Sequence, residues 1–388
     1  MEKQRIGIGM IGTGFMCKAH TNAYRTIPYV CGDAQYRPEL AALCGRDLEK
    51  TREKAALYGY RTAYSGWSEM LRDPSVDVVD VCSTDQTHAP AVLDAIRAGK
   101  NVLCEKPLAL SAEQAGEMYR AARDAGIVHM VSFNYRFLPA VRLAYLLIRD
   151  GVIGEPRHMR VKYYQQGGAD GEQPIEDTWY ARPPKSGVLQ GIGTHAIDQA
   201  RFLLGEIASL SAVAGTYVKT RPDRSGGRVP VEVEESAEAA VQFAGGATGI
   251  VECSCVAWGR KNQLAWEIYG SRGSLSFDLE SPNYLNIYLE KENSLRDGFA
   301  AVNVTGAKYP FMQYWWPEGH NLGWEHAHIN LLAHYLDCVA RRERPDPLGA
   351  TFEDGYRAAV IVDAIRESAR GGNRIDLLPR YEVDGRRK

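Results

Sequence analysis

Short apolar runs alternating with helical spacings dominate the first third of the chain. Ile6 to Ile11 is a glycine-laced apolar run that gives way to Gly12-Thr13-Gly14-Phe15-Met16-Cys17 and then to a helical pattern from Lys18 to Thr26. Leu40 to Cys44 repeats the run and Leu48 to Tyr58 the helix. Val76 to Cys82 precedes a helix over Ala89 to Ala98. Asn101 to Cys104 precedes one over Ser111 to Ala125, where Ser111 and Gln114 have the spacing of a capping box. Val128 to Phe133 closes the series. Unbroken apolar runs suit strands buried on both faces, and their alternation with helices predicts a parallel sheet with right-handed crossovers. The expectation for residues 1–133 is an α/β doubly wound sheet of the Rossmann type, with its ligand crevice above the strands ending at Gly12, Ser83 and Glu105.

From Asn134 the pattern changes. After a helix ending near Asp150, runs with alternating polarity follow at Arg157 to Gln165, Ile207 to Tyr217, Glu234 to Phe243, Thr248 to Val256, Asn262 to Tyr269 and Ser274 to Asp278. Residues 134–388 therefore read as an α+β domain with a large, mostly antiparallel sheet, which binds the substrate and carries oligomer contacts. One face of such a sheet needs a cover, and a second copy of the chain supplies one, so a homodimer or homotetramer is expected. The polar, glycine-rich segment Arg221 to Pro230 reads as a mobile loop. Late helices are expected near Trp324 to Ala340 and over Glu353 to Arg370, the latter stopped by Gly371-Gly372.

Composition narrows the partners. The 388 residues are 45% hydrophobic and 24% charged, with a net charge of −2, so no basic excess exists for nucleic acid or an acidic membrane surface. No apolar stretch reaches the roughly 18 residues that a membrane-spanning helix needs, and the first residues lack a signal-peptide pattern; a cytoplasmic protein acting on a small molecule is expected. The eight cysteines include no C-x-x-C pair and read as small buried hydrophobes.

The glycine turn after the first strand suits a dinucleotide, whose pyrophosphate would sit on the helix N-terminus beside Gly12, Gly14, Phe15 and Met16. The third glycine of the usual fingerprint is replaced by Cys17. At the end of the second strand, Gly45-Arg46-Asp47 leaves the ribose site open: Arg46 can accept a 2′-phosphate, whereas Asp47 can take the ribose hydroxyls. The cofactor expected is NAD(H) or NADP(H). Ser83, Thr84 and His88 follow the third run. Glu105 and Lys106 begin where the run Val102-Leu103-Cys104 stops, and Pro107 keeps Lys106 extended. A lysine on that rim could bind or deprotonate a hydroxyl, or form a plain surface pair with Glu105.

Gly12-Thr13-Gly14 with His20, the stretch Ala98-Gly99-Lys100-Asn101-Val102-Leu103-Cys104-Glu105-Lys106-Pro107-Leu108-Ala109, Asn134-Tyr135-Arg136-Phe137 and Gly193-Thr194-His195-Ala196-Ile197-Asp198 together resemble the Gfo/Idh/MocA family of NAD(P)-dependent oxidoreductases. The resemblance implies a catalytic set of Lys106 and His195, completed by an aspartate four residues before the histidine, and cofactor contacts from Glu105, Lys106 and Arg136. That place holds Gly191. Either Lys106 and His195 act as a pair, or Asp177 or Glu176 reaches in from the preceding loop. The absent acid leaves two further readings open: a protein that senses a sugar without turnover, and an enzyme that uses nicotinamide transiently with no net redox change.

The implied chemistry is hydride transfer between NAD(P) and a secondary hydroxyl of a sugar, glycoside, anhydrosugar or cyclitol. An imidazole ordinarily titrates near pH 6.5, so His195 could take the hydroxyl proton while Lys106 stabilises the alkoxide. Asp198 reads as a structural anchor. Tyr163, Asp177, Trp179, Arg182, Thr194, His195 and His326, with the surrounding aromatics, are candidates for holding the sugar. His320, His326, His328 and His334 lack the H-E-x-x-H spacing, so no metal is expected.

Overall fold

A computed structural model describes residues 3–181, 186–290 and 297–382. The chain forms two compact units. One combines Met1–Leu138 with Gln313–Trp315 and Gly323–Tyr356, and the other contains Pro139–Met312, Trp316–Leu322 and Arg357–Lys388.

The first unit is built on a six-stranded parallel sheet of β1 (Gln4–Ile11), β2 (Tyr36–Cys44), β3 (Thr62–Tyr64), β4 (Val78–Val81), β5 (Asn101–Cys104) and β6 (His129–Val131), in the order β3-β2-β1-β4-β5-β6. Its crossovers carry α1 (Phe15–Val30), α2 (Leu48–Tyr58), the single turn α3 (Trp67–Met70), α4 (His88–Arg97) and α5 (Ala112–Ala125). Strand order reverses between β1 and β4, the switch point where doubly wound sheets bind ligands. All four residues of β4 are buried, as expected of a strand covered on both faces. Ser111 caps α5 by accepting the Gln114 amide N–H at 3.3 Å. Strand β3, absent from the expected elements, is a three-residue edge strand too short for periodicity to register.

The remaining helices are α6 (Pro139–Arg149), α7 (Thr194–Leu204), α8 (Trp324–Arg341) and α9 (Phe352–Gly371). Although late in the sequence, α8 belongs to the first unit and packs on α1, β1 and β2. Polar links among the described residues help hold it there. The Tyr36 hydroxyl donates to the Ala333 carbonyl at 2.6 Å, and the Asn330 amide donates to the Phe137 carbonyl at 3.1 Å.

The second unit contains a nine-stranded sheet drawn from β7 (Pro156–Tyr164), β8 (Ile207–Gly215), β11 (Ser236–Phe243), β12 (Thr248–Ser254), β13 (Gln263–Gly270), β14 (Gly273–Asp278), β15 (Tyr284–Leu289), β16 (Ala300–Asn303) and β17 (Ile375–Asp376). Their order is β16-β15-β14-β13-β7-β12-β11-β8-β17, antiparallel apart from the β7–β12 pair. Helix α7 packs on β7 and β12, and α6 on β14 and β15. Every residue of α7 from Thr194 to Leu203 is buried, so the helix is a core layer. Strands β15, β16 and β17 were not expected; they lie at or near the sheet's edges, where alternation is weakest.

One expectation is corrected here. Arg221 to Pro230 is a hairpin of β9 (Thr220–Pro222) and β10 (Arg228–Pro230), and Arg221 is fully buried. Its guanidinium stands 3.2 Å from buried Glu235 and donates to the Gly168 and Asp170 carbonyls and to the Tyr180 hydroxyl. Glu235 also accepts from the Tyr180 hydroxyl at 2.6 Å and from the backbone N–H groups of Tyr217 and Val218. The segment's composition is polar, but the partner that buries its arginine arrives from outside it. Replacing Arg221 by Met should leave Glu235 buried and uncompensated, costing about 3–5 kcal/mol. A urea midpoint equal to that of the parent would refute this.

Candidate active site

The carboxyl edge of the parallel sheet is shaped by the glycine turn. Gly12 has φ +112°, and a Cβ there would lie 2.5 Å from the Cys82 carbonyl oxygen, so only glycine lets the end of β1 pack against the end of β4. Gly14 caps α1 with no side chain and has open space around it, leaving the first amide N–H groups of the helix available to an anion. Phe15 is exposed and stacks on Trp324 at 5.4 Å, Met16 is half-buried, and Cys17 is fully buried. A bare helix N-terminus behind a turn that admits no Cβ fits a dinucleotide pyrophosphate. After β2, Arg46 is exposed and the Asp47 carboxylate caps α2, accepting the Lys50 N–H at 3.2 Å. That hydrogen bond holds Asp47 below the usual carboxylate range.

His88 links the loops after β4 and β5. Its Nδ1 lies 2.9 Å from the Pro107 carbonyl oxygen and its Nε2 lies 3.2 Å from that of Ser83. The Ser83 hydroxyl accepts from Thr87 at 2.7 Å, and Thr84 precedes that short turn. Arg136 is buried and lies 3.4 Å from Asp354.

Beneath this edge runs a buried chain of charges. His20 Nδ1 lies 2.9 Å from Asp80 Oδ2 and Nε2 lies 3.2 Å from Glu105 Oε1. Tyr24 donates to the same Asp80 oxygen at 2.9 Å, and Glu105 Oε2 accepts the Lys106 amide N–H at 3.1 Å. Burial disfavours a charged His20, but the two carboxylates outweigh it and raise its pKa to about 10. Burial likewise works against the Glu105 carboxylate, yet the His20 contact and the Lys106 charge bring it down to about 2. His328, on α8, lies 5.4 Å from the His20 ring, and its ring nitrogens have no hydrogen-bond partner among the described residues. Burial, with His20 beside it, pushes His328 down to about 3. His20, Glu105 and His328 form a ligand-like trio, as do His20, Asp80 and Cys82. Both nitrogens of His20 already face carboxylates, so its cationic ring offers a metal no lone pair.

His20, Asp80 and His328 had no assigned role in the sequence. Asp80 carried a signal all the same: an acid inside Val78-Val79-Asp80-Val81 must find a buried partner. His326, also in this unit, accepts the Gly323 N–H at 3.1 Å and lies edge-on to Trp315.

In the second unit the chain enters α7 through a π-helical turn, Leu189–Gly193, an irregularity common at functional sites. The Thr194 hydroxyl donates back to the Gln190 carbonyl at 3.0 Å, and His195 is 6% exposed with its ring tilted against Tyr163 at 5.8 Å. Tyr163 and Gln165 both donate to Asn262 Oδ1, at 2.7 and 2.8 Å. Asn262 was not among the expected residues. Asp177 accepts from Arg224 at 2.6 Å and Glu176 from the Arg224 N–H at 3.3 Å. Trp179 is half-buried against Gly191, and Arg182 lies outside the described residues.

Comparison with known proteins agrees with this geometry. Residues 6–133 match the oxidoreductase family with an NAD-binding Rossmann fold, and residues 141–276 match the GFO/IDH/MocA C-terminal domain. The chain is 35% identical to levoglucosan dehydrogenase of Pseudarthrobacter phenanthrenivorans, covering 96% of this chain and 98% of the relative. It is 28% identical to D-apiose dehydrogenase of Paraburkholderia graminis, covering 95% and 88%. A solved levoglucosan dehydrogenase in complex with NADH and levoglucosan superposes with a TM-score of 0.92 at 36% identity, covering 96% of this chain and 99% of that one. The chain belongs to the Gfo/Idh/MocA oxidoreductases. Its first unit is an NAD-binding Rossmann fold.

The buried charges make stability depend on pH in both directions. His20 contributes fully below its unfolded value of 6.5, and this is lost as pH rises through about 10. Glu105 contributes above its ordinary 4.5 and loses this as pH falls through about 2. His328 stays neutral when folded, so below 6.5 the unfolded state takes up its proton first and stability falls towards pH 3. Together these groups favour folding most near pH 6.5. Denaturant titrations across pH should show a flatter alkaline limb in His20→Gln and a flatter acid limb in His328→Gln. A limb that keeps its slope overturns the assignment of that residue.

Proposed function

We propose that the protein is a dehydrogenase or reductase acting on a secondary hydroxyl of a sugar, anhydrosugar or cyclitol with NAD(H) or NADP(H). The observation that carries this reading is Lys106, which leaves β5 at the carboxyl edge beside the switch point, with its backbone tied through Glu105 to the cationic His20. The relatives support the substrate class, since they are dehydrogenases of levoglucosan, D-apiose and myo-inositol. Gly12, Gly14, Phe15, Met16, Ser83, Thr84, His88, Glu105, Lys106 and Arg136 would hold the dinucleotide, with Arg46 and Asp47 at its ribose. Bound nicotinamide would supply the hydride acceptor.

The chain's own residues do the rest. Lys106 Nζ orients the substrate oxygen and stabilises negative charge on it, and a ring nitrogen of His195 takes the hydroxyl proton as the carbonyl forms. Tyr163, Asp177, Trp179, Arg182, Thr194 and His326 complete the substrate contacts in this reading. Two or four copies assembling through the C-terminal sheet in the cytoplasm accord with exposed Val213, Tyr269 and Tyr284 on its strands. No helix among the described residues is long and apolar enough to cross a membrane.

The test follows reduced-nicotinamide absorbance with levoglucosan, D-apiose, myo-inositol and 1,5-anhydro-D-fructose, offered with each cofactor separately. Turnover with one substrate is expected. Lys106→Ala and His195→Ala should each lower it by about 10²–10⁴-fold while the melting temperature holds, and His195→Ala should leave NADH binding unchanged. Full activity in both variants removes the assigned roles. Sugar binding without turnover favours the sensor, and turnover of substrate without a change in nicotinamide favours the redox-neutral enzyme.

A further inference from the structure

The place of a side chain at position 191 is already filled. A Cβ built on Gly191 would lie 1.9 Å from Cζ3 and 2.4 Å from Cη2 of Trp179, far inside the roughly 3.5 Å at which carbon atoms make contact. The other end of the same indole runs along Gly167, where a Cβ would stand 3.5 Å from Nε1. Trp179 thus lies in a slot between two glycines. Its neighbour Tyr180 meets it edge-on at 5.4 Å and is itself held by buried Glu235 and Arg221. The loop carrying the indole is therefore anchored, while Trp179 stays only half-buried.

Position matters as much as packing. Gly191 precedes His195 by four residues, about one helical turn, so a group standing over 191 lies on the helix face that carries His195. The same imidazole has Tyr163 against it at 5.8 Å. An acid at 191 would offer a ligand an anionic hydrogen-bond acceptor. An indole there offers a flat apolar face with a polarised π-cloud, which suits C–H groups on one side of a saturated ring.

We propose that Trp179, admitted by Gly191, is a specificity-determining residue that stacks on the C–H face of a cyclic polyol beside the carbon oxidised. This rests on the function proposed above and deepens it: the favoured ligand is a ring that can lay carbon-bound hydrogens on the indole, as an anhydrosugar can through its bridging CH2 edge, over an acyclic polyol. The pairing of a bare residue 191 with an aromatic residue 179 makes the two positions interdependent. A side chain at 191 acts on the ligand by evicting the indole.

Levoglucosan binding to the NADH-loaded protein, measured by calorimetry, tests this without requiring turnover. Trp179→Ala should weaken binding by about tenfold, as expected for one lost stacking contact. Gly191→Ala should weaken it comparably, and the double variant should bind no worse than Trp179→Ala alone. Trp179→Phe should recover most of the affinity and Trp179→Leu little, which separates a stacking face from a space-filler. Additive effects at 179 and 191, or full affinity in Trp179→Leu, overturn the proposal while leaving the Lys106 and His195 roles standing. A wild-type protein that binds neither levoglucosan nor myo-inositol overturns the cyclic-polyol reading and this proposal together.

Discussion

The cationic imidazole of His20, held between the Asp80 and Glu105 carboxylates, organises the carboxyl edge of the parallel sheet. Those acids come from β4 and from the residue after β5, and α1 brings the ring between them. Two buried carboxylates on adjacent strands would repel each other in a medium that solvates neither. The imidazolium converts that repulsion into a cross-link, and Tyr24 satisfies a further lone pair of Asp80. Lys106 inherits its backbone position from this arrangement, because its amide N–H donates to the second oxygen of Glu105. The glycine turn belongs to the same edge, since Gly12 packs against the backbone of Cys82 and Ser83. One ionic link beneath the sheet therefore underlies both the turn proposed to hold the cofactor and the lysine proposed to meet the substrate.

The second unit solves a comparable problem with a different pair. Arg221 and Glu235 are buried without exposure, and between them they tie down the Gly168 and Asp170 carbonyls, the Tyr180 hydroxyl and the amides of Tyr217 and Val218. Loops ordinarily lie on the surface because their backbone groups need water. Here a guanidinium and a carboxylate take water's place, and the loop that follows β7 becomes a fixed support for Trp179. A site that discriminates between ligands needs such rigidity, because a loosely held aromatic face would adapt to any ring.

Much of the fold could be read locally. Each long strand of the parallel sheet is built around a short apolar stretch, and each crossover helix follows its strand closely in sequence, so β1, β2, β4, β5 and β6 and their helices lie where the hydrophobic pattern put them. The short or edge elements β3, β15, β16 and β17 could not be read that way, because their stability comes from a neighbouring strand and not from their own residues. Helix α8 shows the same divide. Its amphipathic spacing announced a helix, while its place beside α1 depends on bonds such as Tyr36 to Ala333 that join residues far apart in the chain. The glycine turn and the Glu105-Lys106-Pro107 stretch were legible because their functional neighbours are contiguous. His20 and Asp80 were visible as residues and silent as partners.

The sequence by itself determined the family, the class of cofactor and the presence of Lys106 and His195, since those follow from motifs whose spacing is local. It also determined that residue 191 carries no acid. Only the tertiary structure decided what that absence means: a glycine in a string of letters is a missing side chain, whereas in the folded chain it is the space that the Trp179 indole occupies. Close packing is the physical reason, because volume left open by one residue is filled by whichever side chain the fold brings there, and that neighbour cannot be named until the chain has folded.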